Sequence, residues 1–98
     1  MKNFHTFSLA VEFYRLASEL PLKGNLRDQL SRASSSIVLN LAEGAGRSSQ
    51  ADQCRFYSIA MGSLRECQAI LDLATSRCPT AEKVADKLAA HLYKLIKA

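Results

Sequence analysis

The stretch Ser36-Ile37-Val38-Leu39-Asn40-Leu41-Ala42-Glu43-Gly44 places the tightest constraint on how this chain folds. Counted from Leu26 in steps of four and three, it continues a stripe of Leu26, Leu30, Ala33, Ile37, Asn40 and Gly44, one face of an amphipathic helix. Asn40 falls on that stripe, and Glu43 lies one turn beyond it on the same face. An amide and a carboxylate on a packed seam must find hydrogen-bond partners, because burying them bare is costly. Asn40 and Glu43 are therefore expected to be structural buried polar residues. They would bond to each other, to a neighbouring helix end or to a nearby arginine, and so fix the packing register.

The rest of the pattern is also helical. Glycine and proline are scarce and clustered, and no strand-like alternation persists. The periodicity predicts a first helix over Thr6–Leu20, with Leu9, Phe13, Leu16 and Leu20 on one stripe, broken by Pro21 and Gly24. A second is expected over Leu26–Glu43, capped by Asn25 with Asp28 three residues on. Gly44 and Gly46 should end it in the left-handed conformation that glycine tolerates. A third is expected over Gln50–Arg77, capped by Ser49 with Asp52. The fourth, Ala81–Lys97, would follow Pro79 with Thr80 as its cap, and its stripe is Val84, Leu88, Leu92 and Leu95. Short connections between such helices imply an all-α fold, an antiparallel up-down four-helix bundle, with residues 1–98 as a single domain.

The third helix carries two adjacent stripes. One is Tyr57, Ala60, Leu64, Cys67, Leu71 and Ala74; the other is Phe56, Ile59, Ser63, Glu66, Ile70 and Leu73. One stripe suffices for an intramolecular core. The second predicts either contact with another subunit or a helix at the bundle centre, and an apolar content of 48% in so short a chain points to the former. A homo-oligomer is the expectation.

Composition narrows the chemistry. Three cysteines (Cys54, Cys67, Cys78) form no Cys-x-x-Cys pair, and only His5 and His91 accompany them, so no metal site is expected and the thiols should be reduced. No apolar run reaches the ~20 residues of a membrane span, and the first residues lack a signal-peptide core, which predicts a cytoplasmic protein without a membrane partner. Gly44-Ala45-Gly46-Arg47 is not a phosphate loop, and neither histidine has a glutamate three residues before it. Asn40, Glu43, Arg47 and Arg55 would furnish a bundle-core site of the kind helical chorismate mutases use, but the N-terminal helix lacks that family's pattern. No enzyme activity, catalytic residue or cofactor is expected.

The formal charge is +4, from 13 Lys and Arg against 9 Asp and Glu. The excess is marked between Lys23 and Arg65, where six basic residues face three acidic ones. Arg32, Arg47 and Arg55 flank the second turn and are the candidate phosphate-contacting, nucleic-acid-binding residues. A helix-turn-helix over residues 43–50 is disfavoured, because the following helix is too long and apolar for a recognition helix. Two function classes follow. One is an oligomer that presents a basic surface to RNA or DNA; the other is a structural or protein-interaction oligomer without nucleic-acid affinity.

The segment Arg32-Ala33-Ser34-Ser35-Ser36-Ile37-Val38-Leu39-Asn40-Leu41-Ala42-Glu43-Gly44-Ala45-Gly46-Arg47-Ser48 resembles the "SI-x-x-N-I-A-E-G" signature of bacterial four-helix bundle proteins encoded by intervening sequences of large-subunit ribosomal RNA genes. The segment Arg55-Phe56-Tyr57-Ser58-Ile59-Ala60-Met61-Gly62-Ser63-Leu64-Arg65-Glu66 resembles the same family's "R-F-x-x-I-A-x-G-S-L-x-E". The resemblance covers nearly the whole chain and departs from the signature at Leu41, where isoleucine is usual. It implies a left-handed antiparallel bundle, commonly assembled as a homopentamer. It also implies kinship with the accessory variability determinant of diversity-generating retroelements, a basic pentamer that binds a reverse transcriptase and nucleic acid. Such a protein partner is accordingly an expectation for this chain.

Overall fold

Apart from Asn40, the stripes expected to face the core do so. The computed structural model describes residues 3–74 and 77–98. Four helices follow one another: α1 (Phe4–Ser18), α2 (Gly24–Ala45), α3 (Gln50–Leu73) and α4 (Pro79–Lys97). No strand occurs among the described residues. Each helix packs on its neighbours in the chain, and α4 closes back on α1. The four axes thus stand at the corners of a square, in a body of 41 × 21 × 19 Å. Phe13 of α1, Leu30 and Ile37 of α2, Leu64 of α3, and Leu88 and Leu92 of α4 are fully buried along its axis. Burying each such side chain is worth roughly 1.5–3 kcal/mol.

The helix ends hold both agreements and corrections. Ser49 caps α3 as expected, its Oγ accepting the Asp52 amide at 3.1 Å. Asn25 does not cap α2. The helix begins one residue earlier, at Gly24, whose φ of +61° lets the chain turn sharply out of the preceding loop, and no side chain caps it. Thr80 does not cap α4 either. The helix starts at Pro79, where a missing N–H costs nothing, and the Glu82 carboxylate accepts the Cys78 amide at 3.2 Å. Gly46 closes α2 in the right-handed region (φ −87°, ψ −5°), so left-handed glycine geometry is not what stops this helix. The third helix is shorter than its periodicity suggests: it ends at Leu73, and Ala74 turns extended with ψ 142°. The expected continuation over Thr75 and Ser76 lies outside the described residues.

Gly44 serves a close contact instead. A Cβ there would come within 2.7 Å of Tyr57 Cε1 and 3.1 Å of Phe56 Cβ. Its bare α-carbon is what lets α2 and α3 approach at this end, with the Tyr57 ring buried between them. Gly44→Ala should therefore cost about 1–3 kcal/mol, the usual penalty of overpacking. Gly62, in the exposed middle of α3, has open space around the same added atom. Gly62→Ala should stabilise by roughly 0.5–1 kcal/mol. Urea melts of the two variants should shift in opposite directions.

Candidate functional site

The outer seam between α2 and α3 carries a small polar network. Ser36 and Ser63, one on each helix, pair through their hydroxyls at 2.8 Å. Asn40 Nδ2 donates to the Ser36 carbonyl at 2.9 Å and to Ser36 Oγ at 3.0 Å. Asn40 is half-buried and satisfied within its own helix, so it and Glu43 do not bond each other. The burial expected of Glu43 is incorrect for the single chain. Its carboxylate is exposed and pairs with Arg47 at 2.6 Å, one turn along. From Ile37, a step of four reaches Leu41 and a step of three reaches Asn40. The chain buries Leu41 and Gly44, which turns Asn40 ~60° and Glu43 ~120° away from the core direction. An exposed pair of this kind contributes little, about 0.3–0.5 kcal/mol.

Apolar side chains are left uncovered around that network. Leu39 on the crest of α2 is 66% exposed, and Ile59 and Leu73 on α3 are 43% and 68% exposed. Ile59 and Leu73 belong to the second stripe of α3. Ile70 of that stripe is buried, and Phe56 and Ser63 are half-covered by α2. On the other side of α2, a groove against α1 is lined by Val11, Tyr14, Val38 and Leu39.

The three arginines singled out in the sequence do not converge. Arg47 and Arg55 meet over one ring, their guanidinium carbons 4.8 and 4.4 Å from the Phe56 centroid. Both have carboxylate partners, Arg47 with Glu43 at 2.6 Å and Arg55 with Asp52 at 3.7 Å. Gln53 Nε2 further fixes this corner by donating to the Arg47 carbonyl at 3.0 Å. Arg32 stands apart and exposed, fifteen residues earlier on α2, or ~22 Å along its axis. Arg27, counted with the basic excess, is structural: its guanidinium donates to the Ala17 carbonyl at 3.0 Å and to the Leu20 carbonyl, closing the end of α1.

The family model described as 23S rRNA-intervening sequence protein matches residues 5–98. The chain belongs to that family. Among solved structures, one similar chain is a protein with unknown function from the S23 ribosomal protein family of Bacteroides thetaiotaomicron. It has a TM-score of 0.73 at 19% identity, with 97% of this chain and 94% of that chain covered. At that identity the likeness speaks to the fold alone. A comparison with curated proteins found no match.

Two further features of this intervening-sequence protein were not singled out in its sequence. The first is a row of exposed lysines on α4, Lys83, Lys87, Lys94 and Lys97. Their spacing was legible, but the central arginine excess drew attention from it. The second is the meeting of the two histidines. His5 of α1 and His91 of α4 stack at a tilt, ring centroids 4.9 Å apart. Burial holds His91 below the ordinary imidazole value of 6.5, and His5, Lys94 and Lys87 push the same way. Burial first, then the Glu66 charge, pushes the Cys67 thiol up to about 12, which makes it a poor nucleophile. No helix among the described residues is long and apolar enough to cross a membrane.

His91 makes stability depend on pH. A depressed folded-state value means that the unfolded chain takes the proton more readily. The contribution of His91 is thus complete above its ordinary value of 6.5 and is lost as pH falls through the lower folded value. The urea midpoint should drop between about pH 7.5 and pH 5.5, and His91→Gln should flatten that dependence.

Proposed function

We propose that this protein is a non-enzymatic helical scaffold that assembles with copies of itself and, once assembled, engages RNA or DNA through charge rather than sequence. The observation that carries the assembly is uncovered apolar surface on α2 and α3, with Leu39 and Ile59 exposed beside a half-buried polar network and Leu73 exposed at the far end of α3. Leaving three large apolar side chains in water in so small a body is unfavourable unless another surface covers them. The α3 stripe and the α1–α2 groove lie on neighbouring sides of the bundle and differ in composition. A contact that seats one on the other is heterologous, and such contacts form a ring where the rotation between copies closes. Five copies is the number implied by the resemblance noted in the sequence.

Nucleic-acid engagement is supported by the charge of +4 per copy. A ring multiplies that field along one body, and long polyanions respond to the sum. The arginine pairing at Phe56 favours the rival reading, a protein-interaction oligomer, because Arg47 and Arg55 are already partly neutralised.

Light scattering after size exclusion should give several times the chain mass of 10.8 kDa at micromolar concentration. The double variant Leu39→Glu/Ile59→Glu should elute as a helical monomer. A wild-type monomer would refute the assembly.

Fluorescence anisotropy in about 50 mM salt should detect binding to RNA or DNA oligonucleotides tighter than roughly 100 μM. Silence there would leave the protein-interaction oligomer.

A further inference from the structure

Lys83, Lys87, Lys94 and Lys97 follow one another on α4 at steps of four, seven and three residues, with Ala90 in the remaining heptad position. That spacing sets them in one stripe ~21 Å long. All four are exposed, and among the described residues none of them makes an ion pair. The carboxylates of α4 are occupied elsewhere. Glu82 takes Arg77 Nη2 at 2.7 Å and the Cys78 amide at 3.2 Å, and Asp86 accepts from Gln68 of α3 at 3.4 Å. Glu12 of the adjacent α1 and Glu19 at its C-terminal end are exposed, and neither pairs with a lysine. Tyr93 borders the row, 57% exposed, with Lys97 Nζ 5.5 Å from its ring centroid.

We propose that this α4 stripe is a binding surface for single-stranded polynucleotide, its four ammonium groups tracking backbone phosphates while Tyr93 offers a ring face to a base. The proposal rests on the nucleic-acid reading above and moves the contact away from Arg32, Arg47 and Arg55. To bind phosphate, Arg47 and Arg55 must first give up Glu43 and Asp52, and Arg32 is too distant to act with them. The lysines have no such competitor, and an ammonium point charge suits phosphate. A straight basic row with an exposed aromatic beside it is the arrangement that follows a flexible single strand. Nothing on α4 is shaped to read a duplex groove, where an inserted helix must present side chains that reach base edges.

The test compares the intact wild-type chain with three sets of surface variants by anisotropy, on a labelled poly-U 20-mer, a poly-dT 20-mer and a duplex of equal length, in about 50–200 mM salt. The triple variant Lys83→Gln/Lys87→Gln/Lys94→Gln should weaken single-strand binding at least tenfold. It should also flatten the log–log salt slope by about 2, given ~0.7 per phosphate released on single strands. Tyr93→Ser should weaken single-strand binding severalfold and leave the duplex unchanged. Arg32→Gln/Arg47→Gln/Arg55→Gln should stay within about twofold of wild type. Circular dichroism melts confirm that these exposed changes leave the bundle folded. Failure of the wild type to bind any oligonucleotide would overturn the nucleic-acid reading and this proposal together. Binding abolished by the arginine variant but retained by the lysine variant would overturn this proposal alone. A duplex preference, or binding confined to anionic vesicles offered in parallel, would also overturn it.

Discussion

Gly44 against the Tyr57 ring is the contact on which the rest of the bundle depends. Without a side chain at Gly44, α2 and α3 close to a distance at which Ser36 and Ser63 exchange a hydrogen bond across the seam. The same closure buries Tyr57, and its hydroxyl receives Asn3 Nδ2 at 3.3 Å at the start of α1. One missing methyl group therefore sets the spacing of a helix pair and gives a third helix its anchor. Such a contact has two discrete states, packed or not packed, because interiors at this density do not yield gradually.

The cations of this chain fall into two kinds. Four of the arginines are committed within the fold: Arg27 to the end of α1, Arg47 and Arg55 to carboxylates over Phe56, Arg77 to Glu82. The lysines of α4 are not committed in this way. The division follows their chemistry, since a planar fork repays fixed geometry with several directed bonds, while an ammonium on a flexible stem is best hydrated and free. Counting both as equal charge concealed which part of the surface is available to a polyanion.

The four helices, their order and the Ser49 cap were legible because they rest on periodicity and on local backbone needs. The two stripes of α3 were legible too, one in the core and one largely outward. Glu43 was misread because three and four are both allowed helical steps, and from Ile37 they diverge onto Asn40 and Leu41. Desolvation decides between them, and a stripe drawn on Cα spacing alone does not carry that energy. The end of α3 was misread because after Gly62 no glycine or proline interrupts the chain before Pro79, whereas the apolar stripes stop at Leu73 and Ala74, where the backbone turns extended. The dispersal of Arg32 from Arg47 and Arg55, and the meeting of His5 with His91, depend on which helices are neighbours and in which direction they run.

Arg27 has a consequence for how the molecule tolerates change. The carbonyls at the end of α1 are held twice, by a guanidinium reaching back from α2 and by the turn's own amides, Leu20 N–H on the Ala17 carbonyl and Leu22 N–H on that of Leu20. The corner is thus clamped from outside its own loop as well as from within it. Leu20 and Leu22 also pack against the core. Additional sequence can be carried at this corner only where those two side chains and the Arg27 contacts keep their places.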